Sequence, residues 1–403
     1  IWGYPTEYNT WALVWNKKIF ARYGLDPETP PTDWDELKTM ALTCTDYDGT
    51  GAMNVSGFIP YEPGSPEECR FIFMSLLWSN GGEMIDFDKP EALFNSTQGK
   101  EVLDLYKWAS ENTYDPVEPF PGERMWWDSW VPPELDGNYE IAMMITPTWF
   151  TYIRDAMGWV STEDPGYFTN ETLGIAPIPV GPHGTQPISL QYSWIATVTK
   201  AAEERTDPDQ TITHAEAAWT FLHWINEPRP DAAPYGFQPD AHDVSRMGDY
   251  LIYDSIIPSR ISDYENSPIC TDLFWFKEMI DIAITYGRAD TYFRTSDLVQ
   301  SDLYTYLFAP ILLGPAPRAD PHTTADAVAK RVTGELPIPG DIKPDNMIDV
   351  FDLVSCAVAY GTTPADPNWN PRADIKPEWG VVDVFDLVLI AVNYGRYNDL
   401  YVG

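Results

Sequence analysis

A 13-residue segment occurs twice near the C-terminus, and this repeat constrains the fold of that region more than any other feature. Residues 349–361 read DVFDLVSCAVAYG and residues 383–395 read DVFDLVLIAVNYG, so ten of thirteen positions are identical. Each copy follows Asp-Ile-Lys-Pro, at residues 341–344 and 374–377. Because equal sequences favour equal local structures, we predict that an acidic loop leads into an amphipathic helix twice.

The repeat pair resembles a type I dockerin, a small all-α module with two EF-hand-like calcium loops. The resemblance implies calcium as a cofactor and a cohesin-like domain as a partner. Lys343 and Lys376 stand at the third loop positions, where a calcium loop places an oxygen ligand. The alternative is a degenerate pair without metal, held together by Val350, Phe351, Leu353 and Val354 and by Val384, Phe385, Leu387 and Val388. The predicted calcium ligands are Asp341, Asp345, Asp349 and Asp352 in the first loop and Asp374, Glu378, Asp383 and Asp386 in the second.

The charge of the chain excludes one class of partner. Sixty-one acidic residues stand against 25 basic ones, and the formal net charge is -36. Such a chain repels phosphate backbones, so we expect no nucleic acid as a partner. Aromatic residues make up 14% of the sequence, and their flat rings suit the apolar faces of sugars. No apolar run reaches the length of about 18 residues that a membrane-spanning helix needs.

The cysteines and the glycosylation motifs indicate whether the protein is exported from the cell. The four cysteines have no CxxC spacing, which argues against a zinc site. A disulfide between Cys44 and Cys69 and a set of free thiols are both compatible with the sequence. Three tripeptides match the N-glycosylation motif and predict an exported glycoprotein, at Asn54, Asn95 and Asn170.

A second resemblance covers residues 1 to about 335. Trp15-Asn16-Lys17, Phe20 and Gly24-Leu25 precede a helix start at residues 32–37, and Gly137, Ala142, Met143 and Trp149 follow later. In this order the residues resemble the extracellular solute-binding proteins of sugar ABC transporters, the maltose-binding-like family. One departure is that Pro147-Thr148-Trp149 stands where the family commonly has Gly-Pro-Trp.

The resemblance implies an α/β fold of the two-lobed periplasmic-binding-protein type II, whose lobes close over a sugar by a hinge motion. We expect a solute-binding domain at residues 1–335, a linker at 336–340 and the dockerin-like module at 341–397. Ile1 falls near the first crossover between lobes, so we expect most of the first lobe's sheet, and any membrane anchor, to lie outside this chain. The expected division is residues 1–190 and 265–335 in the second lobe and 195–260 in the first.

The ligand site is predicted where strands end, because open α/β sheets bind ligands at the carboxyl ends of their strands. Trp149 follows the apolar run from Ile141 to Ile145 and matches the family's stacking tryptophan, although a core position is the alternative. Carboxylates accept hydrogen bonds from neighbouring hydroxyls while a ring covers the apolar face of a sugar. The other predicted contacts are Tyr61, Glu62, Gln191, Tyr192, Tyr8 and Trp11, with Trp78 and Trp127 equally compatible with the core.

These observations predict a binding protein and not an enzyme. The sequence has no GxSxG, HExxH or dinucleotide-binding fingerprint, and its five histidines form no ligand-spaced cluster. We expect an extracellular or cell-surface protein that captures a sugar or oligosaccharide and delivers it to an ABC permease. The alternatives are a dockerin-bearing glycoside hydrolase, which needs two carboxylates at a fixed separation, and a structural cell-surface or filament protein.

Overall fold

The computed structural model describes most of the chain, and every structural statement below refers to this part. The described residues are 3–60, 66–86, 91–114, 140–148, 170–199, 202, 212–229, 243–253, 256–267, 270, 274–290, 296–312, 318–336, 340–343, 347–363, 366–370, 372–375 and 380–396.

The strands are β1 (Tyr4–Pro5), β2 (Glu7–Asn16), β3 (Asp46–Tyr47), β4 (Met53–Ser56), β5 (Ile85–Asp86), β6 (Glu91–Ala92), β7 (Glu140–Ile141), β8 (Met143–Pro147), β9 (Leu173–Ala176), β10 (Ser189–Tyr192), β11 (Ile195–Ala196), β12 (Ile257–Pro258) and β13 (Gly287–Ala289). The helices are α1 (Lys17–Arg22), α2 (Trp34–Cys44), α3 (Pro66–Ser79), α4 (Thr97–Asn112), α5 (His214–Ile225), α6 (Arg246–Tyr253), α7 (Ile261–Glu265), α8 (Phe274–Tyr286), α9 (Ser296–Asp302), α10 (Ala309–Leu312), α11 (Pro321–Glu335), α12 (Val350–Ala359) and α13 (Val384–Asn393).

The chain divides into two compact units. The first comprises residues 1–81 and 105–290, and the second comprises residues 82–104 and 291–403. The expected boundaries between lobes, linker and C-terminal module stay predictions. The mixture of strands and helices agrees with the predicted α/β class.

Strand β2 organises the sheet of the first unit. Its segment from Trp11 to Trp15 is buried, as expected for an apolar run that is covered on both faces. β2 is antiparallel to β8, β9, β10 and β12. β4 is parallel to β7, and the bridge between Ile59 and Met144 extends this parallel pairing alongside β8. β4, β8 and β10 therefore all run opposite to β2.

Local capping signals set the helix boundaries that follow β2. The Asn16 side chain accepts hydrogen bonds from two backbone N–H groups of α1, at 3.0 and 3.2 Å, so the strand ends and the helix begins there. Gly24 has a φ of 79°, a left-handed conformation that terminates helices. Asp33 caps α2 through two bonds of 2.9 Å. The predicted strand-to-helix passage and the predicted helix start are confirmed.

Two features define the helices of the second unit. α11 begins at Pro321, because the Asp320 carboxylate accepts a hydrogen bond from the Thr323 N–H at 2.9 Å. A π-helical segment at Leu303–Phe308 joins α9 to α10 in one helical run.

The four cysteines are buried free thiols, so the alternative with a Cys44–Cys69 disulfide is wrong. Burial raises the pKa of Cys44 and that of Cys270 to about 12. A thiol with so high a pKa carries little of the reactive thiolate at neutral pH. The cysteines therefore act as small apolar core residues.

The two copies of the C-terminal repeat adopt the same structure, and both predicted helices are confirmed. Asp349 begins α12 and Asp383 begins α13, each within a capping box. The copies exchange equivalent backbone hydrogen bonds of 2.8 Å, from Gly361 to Val382 and from Gly395 to Ile348. The buried core of the pair consists of Ile342, Ile348, Cys356, Ala359, Ala373, Val382 and Ile390.

The helix residues expected to hold the repeats together are only partly in this core. Leu353 and Leu387 pack against it. Val350, Phe351 and Val354 are instead 51%, 55% and 53% exposed, and their counterparts in α13 are similarly exposed. The expectation for these three positions is wrong, because each helix buries only one face and they lie on the other.

Candidate functional site

Two strands of the first unit, β8 and β10, bring their carboxyl ends to one edge of the sheet. Both run antiparallel to β2, with Pro147 opposite Trp11 and Tyr192 opposite Asn9, so these ends lie beside the first half of β2. We call this edge the strand-end site and define it by Glu7, Tyr8, Asn9, Thr148 and Tyr192. It is the kind of sheet edge at which α/β proteins bind ligands.

A chain of polar side chains joins the beginning of β2 to the end of β8. The buried Asn9 amide donates to the Glu7 carboxylate at 2.7 Å and accepts from the Thr148 hydroxyl at 2.9 Å. A buried amide that is bonded at both ends holds its neighbours in place, because breaking either bond leaves a buried polar group without a partner. The chain Glu7–Asn9–Thr148 therefore fixes the residue that directly precedes Trp149.

The Tyr192 ring of the strand-end site packs against two further aromatic rings. The Trp11 ring lies 4.9 Å from that of Phe71 and 5.5 Å from that of Tyr192, measured between centroids. The rings of Phe71 and Tyr192 stack at 5.2 Å. Trp11 is fully buried, whereas Tyr192 is half-buried. Of these two residues, the structure places Trp11 in the core and leaves part of Tyr192 accessible, and the ligand contact of Tyr192 stays a prediction.

The side chains of Gln191 and Tyr8 are hydrogen-bonded to each other. The Tyr8 hydroxyl donates to the Gln191 side-chain oxygen, and the Gln191 side-chain nitrogen donates to the backbone carbonyl of Ala283 in α8. Gly287 permits this approach, since a Cβ at that position would overlap the Gln191 amide. Burial raises the pKa of Tyr8, and the bond to Gln191 opposes the shift. Gln191 is buried and positions Tyr8, which is partly exposed.

Trp78 has a core environment. Its side chain is buried, and the Arg288 guanidinium lies 4.2 Å from the centroid of its ring. A cation over an indole face is a stabilising contact in its own right. The structure thus favours the core alternative for Trp78.

Several predicted site residues lie outside the described residues, namely Trp149, Tyr61, Glu62 and Trp127. In sequence, Trp149 directly follows Thr148 of the strand-end site, and Tyr61 directly follows Pro60, beyond β4. Of the predicted glycosylation positions, Asn54 and Asn170 are exposed, and Asn95 is partly buried with its amide donating to Asp326 at 3.1 Å. Glycosylation stays a prediction.

Sequence reasoning missed the polar members of the strand-end site. Glu7, Asn9 and Thr148 belong to no catalytic or binding motif, and their hydrogen bonds join residues up to 139 positions apart. One local signal points to them: Glu7 and Asn9 are polar residues at alternate positions of a strand whose segment from Trp11 to Trp15 is apolar. Polar side chains on the same face as a buried core indicate a site or a structural network.

Glu7 makes stability dependent on pH in a predictable direction. Burial raises its pKa above the ordinary value of 4.5, and the hydrogen bond from Asn9 lowers it by less. A carboxyl whose pKa is raised by folding destabilises the folded state as the pH climbs from the ordinary value through the raised one. Glu7→Gln is therefore expected to raise the melting temperature at pH 7 and to raise it less at pH 4, where Glu7 itself is protonated. If the variant and the wild type differ in melting temperature by the same amount at both pH values, the ionisation of Glu7 is not the cause of the difference.

The acidic residues of the C-terminal repeats are used as helix caps. Asp352 is buried and accepts hydrogen bonds from the N–H groups of Lys343 and Asp349, at 2.9 and 2.8 Å. Asp386 accepts in the same way from Ile375 and Asp383, at 2.7 and 2.8 Å. Asp341 is partly exposed and Asp374 is buried, while Asp345 and Glu378 lie outside the described residues. Among the described residues, no group of three or more His, Cys, Asp or Glu side chains has the arrangement of a metal site.

The Lys343 side chain of the first loop contacts an aromatic ring. Its ammonium lies 4.5 Å from the centroid of the Phe351 ring, a cation–π contact on the exposed face of α12. Both oxygens of the Asp352 carboxylate already accept a backbone hydrogen bond, and calcium binding by this loop stays a prediction.

The chain matches the family model described as bacterial extracellular solute-binding protein over residues 1–232. A comparison with curated protein sequences gave no match. In the described part of the chain, no helix combines the length and apolarity that crossing a membrane requires.

Solved structures of sugar-binding transport proteins share the fold. One is an ABC transporter solute-binding protein from Thermotoga lettingae with alpha-D-tagatose bound, which is 18% identical, with a TM-score of 0.59 over 83% of this chain and 72% of that one. A second, CpMnBP1 with mannotriose bound, is 20% identical, with a TM-score of 0.59 over 82% and 73%. Maltose-bound MalE3 of T. maritima is 17% identical, with a TM-score of 0.57 over 82% and 72%.

The family model covers more than half of the chain, and the solved structures agree with it in fold. The strand-end site lies within the residues that the model matches. The chain therefore belongs to the bacterial extracellular solute-binding protein family.

Proposed function

We propose that the chain is the sugar-binding component of an ABC transporter, which captures a neutral sugar or oligosaccharide at the strand-end site and delivers it to a membrane permease. The observation that supports this proposal is that the Tyr192 ring, the Glu7 carboxylate and the buried Asn9 amide lie where the carboxyl ends of β8 and β10 meet the beginning of β2. Structures of the same fold hold tagatose, mannotriose and maltose. The net charge of -36 disfavours anionic ligands.

The family consists of binding proteins, so the chain is not an enzyme. A dockerin-bearing glycoside hydrolase is thereby excluded as the function. The extracellular character of the family also agrees with an exported protein.

In this proposal, aromatic rings stack on the sugar, and carboxylates and hydroxyls form hydrogen bonds with it. Tyr192 offers a ring whose back is supported by Phe71 and Trp11, and Trp149 would add a stacking ring beside Thr148. The Glu7 carboxylate, together with Glu62, would accept hydrogen bonds from sugar hydroxyls, as carboxylates do with vicinal donors. Tyr8 and Tyr61 would supply further hydroxyl contacts. Neither stacking nor hydrogen bonding requires a chemical step.

Sugar binding is tested by isothermal titration of the whole chain with mannose, mannotriose, maltose and alpha-D-tagatose. We expect saturable binding of at least one of these sugars without release of reducing ends. Trp149→Ala is expected to weaken that binding by about tenfold, which is the effect of losing one stacked ring. Wild-type affinity in the Trp149→Ala protein would remove Trp149 from the site, and an absence of binding to every sugar would refute the function.

The C-terminal repeats form, in our proposal, a dockerin-like attachment module that binds calcium and docks a cohesin-like domain. Two observations support it. The copies are equivalent in their caps and in the backbone bonds they exchange. Each also presents an exposed apolar face, with Phe351 and Phe385 at 55% and 49% exposure. Exposed apolar faces of this kind mark protein interaction surfaces.

Calcium binding is tested by the melting temperature of the whole chain in millimolar calcium and in chelator. We expect calcium to raise it, because a ligand that binds only the folded state stabilises that state. Asp352→Asn keeps one of the two side-chain oxygens that accept backbone N–H bonds and removes the negative charge, and is expected to reduce the calcium-dependent shift in melting temperature. Equal melting temperatures with and without calcium would favour the metal-free alternative.

A further inference from the structure

The hydrogen-bond chain Glu7–Asn9–Thr148 links a partly accessible carboxylate to a buried hydroxyl. Asn9 Nδ2 donates to Glu7 Oε1 at 2.7 Å, and Asn9 Oδ1 accepts from the Thr148 hydroxyl at 2.9 Å. Glu7 is half-buried, whereas Asn9 and Thr148 are only 0% and 2% exposed. Because a buried amide is costly to leave without hydrogen bonds, these two partners set its orientation.

The direction of this chain depends on whether Glu7 is ionised. An ionised carboxylate only accepts hydrogen bonds, whereas a protonated one also donates. With Glu7 ionised, the Thr148 hydroxyl donates to Asn9 and the Asn9 amide donates to Glu7, as the structure shows. When Glu7 takes up one proton from water, its O–H donates to Asn9 Oδ1 after a half-turn of the amide. Asn9 Nδ2 then donates to the Thr148 oxygen, so both hydrogen bonds persist in the reverse direction.

The titratable groups on the elements packed against β2 differ from Glu7 in charge or in partner. β8, β9 and β12 contain none, and the phenol of Tyr192 on β10 belongs to a class that ionises near pH 10. After β12, Arg260 lies 3.8 Å from Asp263. The titratable groups of α8 are the paired Lys277 and Asp281, the exposed Glu278, and Tyr286.

Glu7 itself is poised to take up a proton in mild acid. Burial raises its pKa above the ordinary value of 4.5, and the hydrogen bond from Asn9 opposes this shift by less. The other titratable side chain of this end of β2, Tyr8, donates its hydroxyl to Gln191. Within the described residues, Glu7 is therefore the titratable group that bonds to the Asn9 amide.

We propose that the Glu7–Asn9–Thr148 chain is a proton-controlled switch: protonation of Glu7 reverses the chain and lowers the affinity of the strand-end site for sugar. This inference rests on the proposed function and adds the regulation of that site by pH. The ionised Glu7 presents its second oxygen to a sugar hydroxyl, and hydrogen bonds to a charged acceptor are stronger than those to a neutral one. Reversal also turns Thr148 from a donor to Asn9 into an acceptor, so the change reaches the end of β8.

The test measures sugar affinity as a function of pH. Isothermal titration of the whole chain with mannotriose and with maltose is carried out between pH 4 and pH 7, in the range where thermal melting shows a folded protein. For the sugar that binds, wild type is expected to bind about tenfold more weakly at pH 4 than at pH 7, the effect of one charge-assisted hydrogen bond. Glu7→Gln cannot ionise and is expected to bind with the same affinity at both pH values.

Proton release gives a second readout that a purely structural role of Glu7 would not produce. Because sugar favours the ionised form, binding is expected to release protons at pH values near the pKa of Glu7. Titrations in buffers of different ionisation enthalpy measure this release. Wild type is expected to release protons, and Glu7→Gln is expected to release none.

Thr148 variants distinguish the switch from a direct effect of Glu7 on the sugar. Thr148→Val removes the hydroxyl that the reversed chain requires, and is expected to reduce the loss of affinity at pH 4 to about threefold or less. Thr148→Ser keeps a hydroxyl and is expected to restore the loss of about tenfold. Glu278→Gln is the matched control, because it neutralises an exposed carboxylate of α8, and it is expected to retain the wild-type pH dependence.

The outcomes separate this inference from the proposed function. If wild type binds sugar equally well at pH 4 and pH 7, the switch is refuted while the function stands. The same holds if Glu7→Gln keeps the pH dependence, since another group then causes it, or if Thr148→Val keeps all of it, since Glu7 then acts on the sugar without the chain. If wild type binds neither sugar at any pH, function and switch fail together.

Discussion

Replacing Arg70 by alanine is expected to lower the free energy of unfolding by about 3–5 kcal/mol, the cost of leaving a buried charge without its partner. The Arg70 guanidinium contacts the Asp290 carboxylate through two nitrogens, at 2.7 and 3.3 Å. The two side chains are only 6% and 2% exposed. The Asp290 N–H also donates to the backbone carbonyl of Gln191 at 2.8 Å. The pair therefore joins α3 to the residue after β13, which is itself hydrogen-bonded to Gln191 of β10.

A matched control for this variant is Lys277→Ala. Lys277 pairs with Asp281 at a similar distance of 3.0 Å, but their side chains are 56% and 52% exposed. Water already screens such a pair, so its loss is expected to change stability far less. Urea denaturation of both variants measures the difference. Equal losses would show that burial does not determine the contribution of these pairs, and would contradict the prediction for Arg70.

Trp11→Ala is expected to lower the free energy of unfolding by about 3–5 kcal/mol, the usual cost of truncating a buried aromatic residue. Trp11 has no exposed surface and lies in the middle of β2, where it packs against Phe71 and Tyr192. Removal of the indole leaves a cavity beneath the Tyr192 ring. We therefore also expect weaker sugar binding, because Tyr192 loses the support that keeps its ring in place.

Trp11→Phe separates these two effects. A phenyl ring fills part of the cavity and keeps an aromatic face toward Tyr192, so both losses are expected to be smaller than in Trp11→Ala. Denaturation in urea reports the stability, and isothermal titration at a temperature where both variants are folded reports the affinity. Loss of stability without any loss of affinity in Trp11→Ala would show that Tyr192 does not need this support.

The sequence predicts the local structure of this chain well where the signals are local. The apolar run from Trp11 to Trp15 predicts β2, the Asp33 cap predicts the beginning of α2, and the duplicated Asp349 and Asp383 predict two similar helices. Each of these signals lies within a few residues of the structure it determines.

The site is harder to predict because it depends on pairing between distant segments. A high content of aromatic residues does not distinguish Trp11, which is buried, from Trp194, which is exposed. The hydrogen bond between Tyr8 and Gln191 joins residues 183 positions apart. No local sequence pattern reveals that the Gln191 side chain has these partners. The sequence predicts the edge of the sheet at which a ligand would bind, whereas the sheet register decides which side chains reach that edge.

The position of β2 in the chain has a consequence for synthesis. β2 is complete by residue 16, but its partners β8, β9, β10 and β12 are spread from residue 143 to residue 258. An emerging chain must therefore carry an unpaired apolar strand until most of the first unit has been made. Such long-range pairing slows folding and exposes the nascent chain to aggregation. We expect the nascent chain to depend on chaperones until the last of these partner strands has been made.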